Sequence, residues 1–411
     1  MMIEDVVCTG CSLLCNDVDV EIQDSSVKRT RGACSHGDAR LKTFHQNRLR
    51  RPLINGVQVD IDKAIEAIAE RLKSAKAPLV YGGECSSNKT IELALKLAEK
   101  LEAYYDAPPS ICRALIPIQE ELDIKSFGLN DVLNEADFII YWGVSIADTH
   151  LRHASRYAVM PRGSLIKMGR ENRVVATIDA RESVSMKISQ HRILVDPCLD
   201  AKIAKGIADL MDGRTPPLDY TMMRQLALLI SDLKRASFVA LFLGSNVMRC
   251  SNHEETVREI LNLVKKLSTR YKCSVHPMAE NVNSYGQAKI TWRTLKTCSP
   301  YSFKEKKPVE PLYILAARQA IDFVLAINSD VLAQIPLKVS KGLRMKIACT
   351  TELKSITQEN SAIAIPIKIL GVEAGGIVTR TDGMDVDLKP FMANSEVLSE
   401  EEVLSRLLAL L

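Results

Sequence analysis

The chain has 411 residues, of which 46% are hydrophobic and 25% are charged, and its formal net charge is +4. This composition is typical of a soluble globular protein, and a chain of this length usually folds as two or three domains. The small net charge, without a long basic run, argues against nucleic-acid binding.

Neither a secretion signal nor a membrane span is expected. The first residues, MMIEDVVC, lack a charged segment followed by an apolar one. The apolar stretch ADFIIYWGVSIA is too short for a transmembrane helix, which needs about 20 residues. The odd cysteine count, 11, indicates thiols and metal ligands rather than a disulfide framework. We therefore expect a cytoplasmic protein.

The N-terminal segment is rich in cysteine. Cys8, Cys11, Cys15 and Cys34 follow the spacing C-x2-C-x3-C-x18-C. Zinc ribbons usually use two C-x2-C pairs, whereas an asymmetric triplet suits three corners of a cubane whose fourth ligand comes from a distant turn. The spacing favours a [4Fe–4S] cluster over zinc, and such a cluster favours redox chemistry elsewhere in the chain.

The rest of the chain alternates helical patterns with short apolar runs. Apolar residues recur every three or four positions in DIDKAIEAIAERLKSAKA and KTIELALKLAEKLEA, and the chain closes with a helical SEEEVLSRLLALL. RTLKTCSPYSFKEKKPVEP is predicted to be an exposed loop. The predicted strands are PLVYGG, FIIYWG, RVVATIDA, SFVALFLG, DFVLAINS and MKIACT. This alternation indicates an α/β fold with parallel sheets covered on both faces.

Glycine and small polar residues follow several of these strands, in YGGECS, YWGVS, IDARES, FLGSN and INSD. Ligands of α/β proteins bind outside the carboxyl ends of the strands. Glycine permits close backbone approach, and Ser, Asn and Asp can bind phosphates, riboses or bases. Small polar strand ends also occur without a ligand, and none of these is a strict dinucleotide fingerprint, so both interpretations stay open.

Taken together, these segments resemble the molybdopterin oxidoreductase family, and within it the B subunits of formylmethanofuran dehydrogenases. The resemblance includes the N-terminal cysteines and YWGVSIADTHLRHASRYAVMPRG. It also includes IDARES, and DPCLDAKIAKGI with Cys198 in the place of the usual glycine. Further matching segments are FLGSNVMRCSNHEE, the N-x-x-G turn of NVNSYG, and GVEAGGIVTRTDG.

The resemblance implies a small N-terminal [4Fe–4S] domain (1–52) and two parallel-sheet α/β domains. One would be a discontinuous pterin-binding domain (53–107 and 281–411), and the other a Rossmann-like domain (108–280) that carries a metal-ligand cysteine. Only 28 residues follow Gly383. We therefore expect that the C-terminal β-barrel of single-chain relatives is missing and is supplied by a separate small subunit.

The cofactors implied are the cluster, two molybdopterin guanine dinucleotides, and tungsten or molybdenum, between which the sequence does not choose. Cys112 would ligate the metal, since a soft thiolate suits it, although a buried free cysteine is often only a small hydrophobe. The residues implied to bind the dinucleotides are Gly82, Gly83, Gly143, Ser145, Asp179, Arg181, Asp200, Gly244, Asn283, Gly286, Glu373, Gly376 and Thr379.

Two residues depart from the family's pattern. Arg113 follows Cys112 where the family has a histidine, and Ala279 stands where it has an arginine. Arg113 could supply the cation that binds an anionic substrate, with Arg249 or His276, near strand ends, compensating further. Alternatively, the site has drifted and keeps its cofactors without this activity.

The activity implied is reversible two-electron reduction of CO2 to formate, as in archaeal methanogenesis, with electrons entering through the N-terminal cluster. An amidohydrolase subunit would condense the formate with methanofuran. A β-helix subunit, the small β-barrel subunit, and a polyferredoxin or other iron–sulfur electron donor are the other expected partners. The alternatives are a metal-retaining electron-transfer or scaffold subunit without catalysis, and a divergent formate-dehydrogenase-like enzyme.

Overall fold

The computed structural model describes residues 1–196 and 198–411. The chain divides into two compact units, each described here by itself. The first unit comprises Met1–Pro109, Asn281–Arg380 and Asp385–Leu411, and the second comprises Ser110–Glu280 and Thr381–Met384.

The strands and helices alternate along most of the described chain. The strands are β1 (Met2–Val6), β2 (Val18–Gln23), β3 (Ser26–Arg31), β4 (Leu53–Ile54), β5 (Val57–Gln58), β6 (Pro78–Gly82), β7 (Tyr104–Asp106), β8 (Phe138–Trp142), β9 (Val174–Asp179), β10 (His191–Leu194), β11 (Phe238–Gly244), β12 (Lys272–Met278), β13 (Tyr301–Ser302), β14 (Lys307–Pro308), β15 (Phe323–Ile327), β16 (Ile347–Thr351), β17 (Ile363–Pro366), β18 (Gly376–Thr379) and β19 (Asp385–Leu388). The α-helices are α1 (Ser35–Thr43), α2 (Ile61–Ser74), α3 (Asn88–Lys100), α4 (Ile111–Glu121), α5 (Leu129–Glu135), α6 (Ile146–Thr149), α7 (Asp200–Met211), α8 (Tyr220–Leu233), α9 (His253–Leu267), α10 (Ser284–Leu295), α11 (Leu312–Ala317), α12 (Leu337–Leu343), α13 (Ile356–Glu359) and α14 (Glu400–Leu410). Short 3-10 or π turns lie at Ala154–Ala158, Gly169–Asn172, Val184–Ile188, Ser245–Met248 and Val331–Ala333.

The first unit begins with an antiparallel sheet in the order β1-β2-β3, followed by α1. Asp24 and Ser25 form the turn between β2 and β3 with φ of 50° and 54°. Two successive left-handed residues are the geometry of a tight hairpin turn, which acidic and small polar residues tolerate. Cys34 is the N-cap of α1, and its side chain accepts from the backbone N–H of Gly37.

The larger sheet of the first unit has the order β14-β13-β7-β6-β15-β16-β17-β4-β5. Its five central strands, in the order β7-β6-β15-β16-β17, are parallel, and an antiparallel hairpin lies at each edge. The expectation of an exposed loop after α10 was therefore incomplete, because residues 301–308 form the hairpin β13–β14. These two strands are only two residues long, too short to give a periodic pattern in the sequence.

Both faces of this sheet are covered, as continuously apolar strands require. Val80 faces a core formed with α2, α3 and α14, whereas Leu79 and Tyr81 face the core against α11 and α12. The C-terminal helix α14 begins with a capping box between Ser399 and Glu402. This motif fixes the start of the helix that the SEEE segment predicted.

The second unit contains a parallel sheet in the order β10-β9-β8-β11-β12. The strands β8 and β11 are entirely buried. The mixed α/β architecture with parallel sheet regions agrees with the fold class predicted from the sequence. In the part of the chain that the structure describes, no helix combines the length and apolarity needed to cross a bilayer.

Candidate functional site

Each parallel sheet has one point at which its strand order reverses. In the first unit the chain runs from β6 to β7 and then returns through β15 towards β17, so this point lies between β6 and β15. In the second unit it lies between β8 and β11. Ligands of open α/β sheets bind at the carboxyl ends of strands beside such a point. The predicted glycines Gly82, Gly143 and Gly244 lie there, at the ends of β6, β8 and β11.

Each of these glycines is also needed for packing. Gly82 has φ +111°, and a Cβ there would come within 2.6 Å of the carbonyl oxygen of Ile327. Gly143 has φ +63°, and a Cβ on Gly244 would lie 2.4 Å from the carbonyl oxygen of Gly143. Gly83, with φ +95°, donates its N–H to the same Ile327 carbonyl at 3.1 Å. The glycines therefore allow neighbouring strand ends to approach closely, whatever ligand binds beside them.

A small polar cavity of about 10 Å³ lies at the strand ends of the second unit. Asn246 Nδ2 donates to both carboxylate oxygens of Asp179 at 3.1 Å, and Arg249 donates to Asn246 Oδ1 at 2.8 Å. Trp142 Nε1 donates to Asp200 Oδ1 at 2.7 Å. Burial raises the pKa of Asp200, against the hydrogen bond from Trp142 that lowers it. The structure thus brings together Gly143, Asp179 and Asp200 from three separate sequence motifs.

Two further residues predicted for this site lie outside the cavity lining. Ser145 is buried, with its Oγ 3.2 Å from Ser185 Oγ. The Arg181 side chain is 59% exposed and lies 4.0 Å from the Asp148 carboxylate. An exposed guanidinium of this kind is available to a ligand.

A disulfide joins Cys198 to Cys250 on the wall of this cavity, across 52 residues of sequence and a Cα–Cα distance of 5.6 Å. Cys198 has φ +74°, a backbone conformation that favours glycine. This explains why the motif usually has glycine there. The odd cysteine count indicated thiols and metal ligands rather than a disulfide framework, and it did not predict this one pair, because pairing depends on tertiary proximity.

A larger cavity of about 260 Å³ lies within the first unit. It is lined by the loop after β6, the segment after β17, and the start of α14. Its wall is strongly acidic, with Glu352, Glu373, Glu400, Glu401 and Glu402. Five carboxylates so close together repel phosphates but accept hydrogen bonds from N–H groups.

Two ionisable groups of this cavity are strongly affected by burial. Burial, with smaller contributions from Glu352 and Glu84, raises the pKa of Glu400 to about 7. Thr350 Oγ1 donates to Glu400 Oε1 at 2.5 Å. Burial also raises the pKa of the Cys85 thiol, and Glu84 adds to this effect. Cys85 is thus a wall of this cavity and is held as a neutral thiol.

Glu373, a predicted cofactor residue, forms a buried ion pair within the unit. Arg48 donates to its two carboxylate oxygens at 2.8 Å each, and the side chains are 8% and 6% exposed. The backbone N–H of Ile369 and the amide of Asn394 donate to the same carboxylate. Both carboxylate oxygens of Glu373 are therefore already bound within the unit, and the residue stabilises the cavity wall.

Asn283, Gly286, Gly376 and Thr379 also lie in the first unit. Asn283 is the N-cap of α10, donates to the carbonyl of Ser86 at 2.7 Å, and accepts from the N–H of Thr379 at 2.8 Å. Gly286 lies inside α10 rather than in a turn, and a Cβ there would come within 2.2 Å of Asn283 Oδ1. Gly376 has φ +142° and packs against Ser87. These residues fix the loop that follows β6.

The four N-terminal cysteines lie in the first unit, around the loop before β2 and the start of α1. The backbone N–H of Cys8 donates to the carbonyl of Cys15 at 2.8 Å. A Cβ on Gly37 would lie 2.7 Å from Cys8 Sγ and 3.9 Å from Cys34 Sγ. Burial raises the pKa of Cys8 to about 11 and that of Cys11 to about 12, and repulsion among the four sulfurs contributes in the same direction.

Arg40 connects this cysteine loop to the acidic cavity. Its Nε donates to Thr9 Oγ1 at 3.1 Å, and its NH2 donates to Glu352 Oε2 at 2.6 Å. Thr9 in turn donates to the carbonyl of Leu370 at 3.2 Å. A continuous path of hydrogen bonds thus runs from the residue after Cys8 to the cavity wall.

Cys112 is completely buried in the first turn of α4, directly before the half-buried Arg113. The N-cap Ser110 accepts from the N–H of Arg113 at 3.4 Å. Among residues 1–196 and 198–411, no group of three or more His, Cys, Asp or Glu side chains is arranged around a single metal ion. Each thiolate of a cubane binds a different iron, so this finding does not bear on the cluster.

Three histidines of the second unit, His150, His153 and His276, are buried. His150 Nε2 donates to the carbonyl oxygen of Ala279 at 3.1 Å, and His153 Nδ1 lies 3.0 Å from the Tyr141 hydroxyl. Burial, with repulsion from His150 and His276, holds the pKa of His153 well below its usual range. His276 lies within β12 and contacts Ser274 Oγ at 2.8 Å. His276 thus lies two residues before the end of β12, near a strand end as expected.

Five residues of these cavities and their connections were not predicted from the sequence, namely Arg40, Arg48, Asn246, Glu352 and Glu400. Glu352 directly follows β16, so the strand-end rule that selected Asp179 could have selected it. Asn246 stands in the FLGSN segment, whose polar residues were expected at a ligand-binding strand end, but only Gly244 of that segment was selected as a site residue. Glu400 was interpreted only as part of an acidic helix start, and a sequence pattern does not show that its side chain is buried.

Comparison with known proteins gives relatives along nearly the whole chain. No protein-family model matches. The B subunit of tungsten-containing formylmethanofuran dehydrogenase 2 from Methanocaldococcus jannaschii is 28% identical over 427 aligned residues, which cover 99% of this chain and 98% of that protein. The protein of the same name from Methanococcus maripaludis is 26% identical and covers 98% of each chain.

A solved structure shares the fold. It is the formyltransferase/hydrolase complex FhcABCD of Methylorubrum extorquens with methylofuran, of which one chain matches with a TM-score of 0.64 and 15% identity. The match covers 87% of this chain and 98% of that chain. The resemblance found in the motifs is confirmed by the two full-length relatives: the chain is a homologue of the B subunits of formylmethanofuran dehydrogenases, which are oxidoreductases.

Proposed function

We propose that the chain is the redox subunit of a formylmethanofuran dehydrogenase complex and catalyses the reversible two-electron reduction of CO2 to formate. The observation that carries this proposal is the homology, over 98–99% of the chain, to two subunits named as tungsten-containing. That name favours tungsten over molybdenum. The strand-end glycines at both points of reversed strand order support a nucleotide-bearing cofactor.

The N-terminal cysteines fit a [4Fe–4S] cluster chemically. Backbone N–H groups of Gly10, Leu13 and Gly37 donate to the sulfurs of Cys8, Cys11 and Cys34. Such hydrogen bonds stabilise sulfur ligands that carry negative charge. The raised thiol pKa values of Cys8 and Cys11 mean that these residues keep their protons until a metal displaces them.

Two molybdopterin guanine dinucleotides fit the acidic residues of each unit. Pterin and guanine both present an amino-pyrimidine edge with N–H donors, and carboxylates accept from such donors. Asp179 and Asp200 would hold the edge of one base in the second unit. Glu352 and Glu400 would face such an edge in the first. The pyrophosphates do not fit these carboxylates and would instead bind backbone N–H groups at the glycine-bearing strand ends.

At the reacting centre, Cys112 would be the protein ligand of the metal. The bound tungsten–pterin group would supply the two-electron chemistry. Complete burial of Cys112 excludes water from its thiolate. Arg113 would neutralise the carboxylate charge of formate, which stabilises the transition state electrostatically. An arginine does not accept a proton near neutral pH, so a water or another residue must do so.

The proposed partners follow from the same family. Formate would pass to an amidohydrolase subunit for condensation with methanofuran, and a small β-barrel subunit would complete the pterin site. A polyferredoxin or another iron–sulfur subunit would deliver electrons, and a β-helix subunit would be a further partner. The structural neighbour belongs to a multisubunit formyltransferase/hydrolase complex, which supports an assembly of this kind.

A second function has its own support. Ala279 stands where the family has an arginine, and its carbonyl oxygen is bound by His150, so this position supplies no cation. A subunit that keeps its metal sites but only transfers electrons, or serves as a scaffold, would tolerate this loss.

One experiment separates these functions. The chain would be purified anaerobically with its neighbouring subunits, and CO2 reduction with a low-potential dye would be measured. The metals of the chain would be measured after subtracting the iron of the other iron–sulfur subunits, purified without this chain. Iron at about four per chain, tungsten and turnover together are the expected result. Iron without turnover would support the non-catalytic function, and zinc as the only metal would contradict both.

A further inference from the structure

We propose that Cys198 and Cys250 form a reversible disulfide that closes the small polar cavity of the second unit, which Asp179 and Asp200 line. Reduction of this disulfide would open the cavity to a guanine nucleotide. The guanine part of this inference rests on the proposed function. The closure itself rests on the contacts of the cavity.

The bridge holds the two segments that form the cavity wall. Cys198 lies two residues before the start of α7, where Asp200 is located, and Cys250 lies four residues after Asn246. Both Cys198 and Asn246 line the cavity with Asp179 and Asp200. The bridge therefore restrains both the segment that carries one carboxylate and the segment that covers the other.

In the bridged structure a side-chain amide of the chain itself occupies the Asp179 carboxylate. Asn246 donates to both oxygens of Asp179 at 3.1 Å, the position that the N–H edge of a guanine would take. Arg249, directly before Cys250, donates to Asn246 Oδ1 at 2.8 Å and fixes its orientation. The remaining cavity of about 10 Å³ has room for about one water molecule and not for a purine.

Reduction of the disulfide would remove the restraint on the segments that carry Cys198 and Asn246. Cys198 has φ +74°, which residues other than glycine rarely adopt, so the freed residue would relax toward an ordinary backbone conformation. Asn246 lies in a 3-10 turn of four residues, Ser245–Met248, which has little intrinsic stability. Without the bridge at Cys250, this turn would leave Asp179 more readily.

The bridge is also accessible to a reductant. Cys198 is exposed and Cys250 is partly exposed. A dithiol, small or carried by a protein, would attack one sulfur and break the S–S bond, and the released cysteine would take up a proton. The second thiol of the reductant would then attack the first reductant sulfur and displace the other cysteine of the chain, which also takes up a proton. The dithiol thus becomes a disulfide, and the chain gains two electrons and two protons.

The test uses the full chain, produced in a host that makes no molybdopterin, in air-oxidised and dithiothreitol-reduced forms. Peptide mapping after alkylation should show Cys198 and Cys250 blocked in the first form and labelled in the second. GMP, measured by calorimetry, should bind at least tenfold more tightly to the reduced form. Cys198→Ser should bind GMP like the reduced chain under both conditions, whereas Cys273→Ala, a buried cysteine of the same unit, should keep the redox difference.

Amide hydrogen exchange over residues 246–252 gives a readout without nucleotide, and it should be at least tenfold faster in the reduced chain. Equal exchange in both forms, or GMP affinities equal within twofold, would overturn the switch. Faster exchange in a reduced chain that binds no GMP in either form would support the opening and overturn the guanine assignment of the proposed function.

Discussion

At the scale of single residues, the proposed reacting centre would depend on Arg113, since the residues at the positions of the family's histidine and arginine are Arg113 and Ala279. We predict that Arg113→Ala lowers CO2 and formate turnover by about 10²- to 10³-fold, the typical effect of removing one group that stabilises developing charge. Arg113→Lys keeps the charge and should lose much less. Turnover would be measured in the intact complex, with tungsten content as the control for assembly. Full turnover of the alanine variant would show that another group binds the substrate anion.

Glu400 is the residue whose titration should be visible in stability. Its folded pKa of about 7 lies above the ordinary value of 4.5, so the folded chain holds a proton that the unfolded chain has released between these two pH values. The free energy of unfolding therefore falls by roughly 3 kcal/mol in total as the pH rises from about 4.5 to about 7. We predict that Glu400→Gln, which accepts the same Thr350 hydrogen bond, removes this loss.

Thermal unfolding of both chains between pH 4.5 and pH 8 checks this prediction. The variant should gain stability over the natural chain progressively with pH, while Glu70→Gln, an exposed glutamate of α2, should show no such trend. A constant difference across the window would mean that Glu400 is ionised in the folded chain.

At the scale of elements, the strand-end glycines combine backbone conformation with close packing. A Cβ on Gly143 would lie 2.7 Å from a side-chain carbon of Val247, whereas one on Gly213, which has φ +77°, would meet nothing within 4 Å. We predict that Gly213→Ala costs ~1–2 kcal/mol for its left-handed backbone. Gly143→Ala should cost a further ~1–3 kcal/mol because of overpacking.

Urea unfolding followed through Trp142 fluorescence would measure both costs, with Trp292 replaced by Phe in every chain. Equal losses for the two alanine variants would show that β11 and its following turn shift to make room. In that case Gly143 would be needed for its conformation alone.

The elements that the sequence predicted well are those whose burial is visible in a local pattern. FIIYWG and SFVALFLG are continuously apolar because β8 and β11 are covered on both faces. The hairpin β13–β14 was missed because its strands contain two residues each, and those of β14 are a lysine and a proline. The Cys198–Cys250 pair was missed because Cys198 follows β10 and Cys250 follows β11, so its members come together only in the folded sheet. Local patterns thus predicted the layers, and the contacts between distant segments required the structure.

At the scale of the whole molecule, the first unit contains both the predicted cluster loop and an acidic cavity, joined by the Arg40–Glu352 pair. We predict that electron entry through this loop can be removed separately from tungsten binding. Cys11→Ser should lose most of its iron, from about four per chain, and the absorbance shoulder near 400 nm that such a cluster would give. It should also lose turnover with an external electron donor. Tungsten content should stay unchanged, because its proposed ligand Cys112 belongs to the other unit.

Cys298→Ser is the matched control for this variant. Cys298 is buried in the same unit and its Sγ donates to the carbonyl of Ala288 at 3.3 Å, a contact that serine can keep. This variant should keep its iron, absorbance and turnover. If Cys11→Ser kept its iron while losing turnover, the thiol would act in folding or partner binding and the cluster would need another set of ligands. If it lost tungsten together with iron, the two metal sites would assemble as one, and the cluster loop would be a structural requirement for the cofactor as well as its electron path.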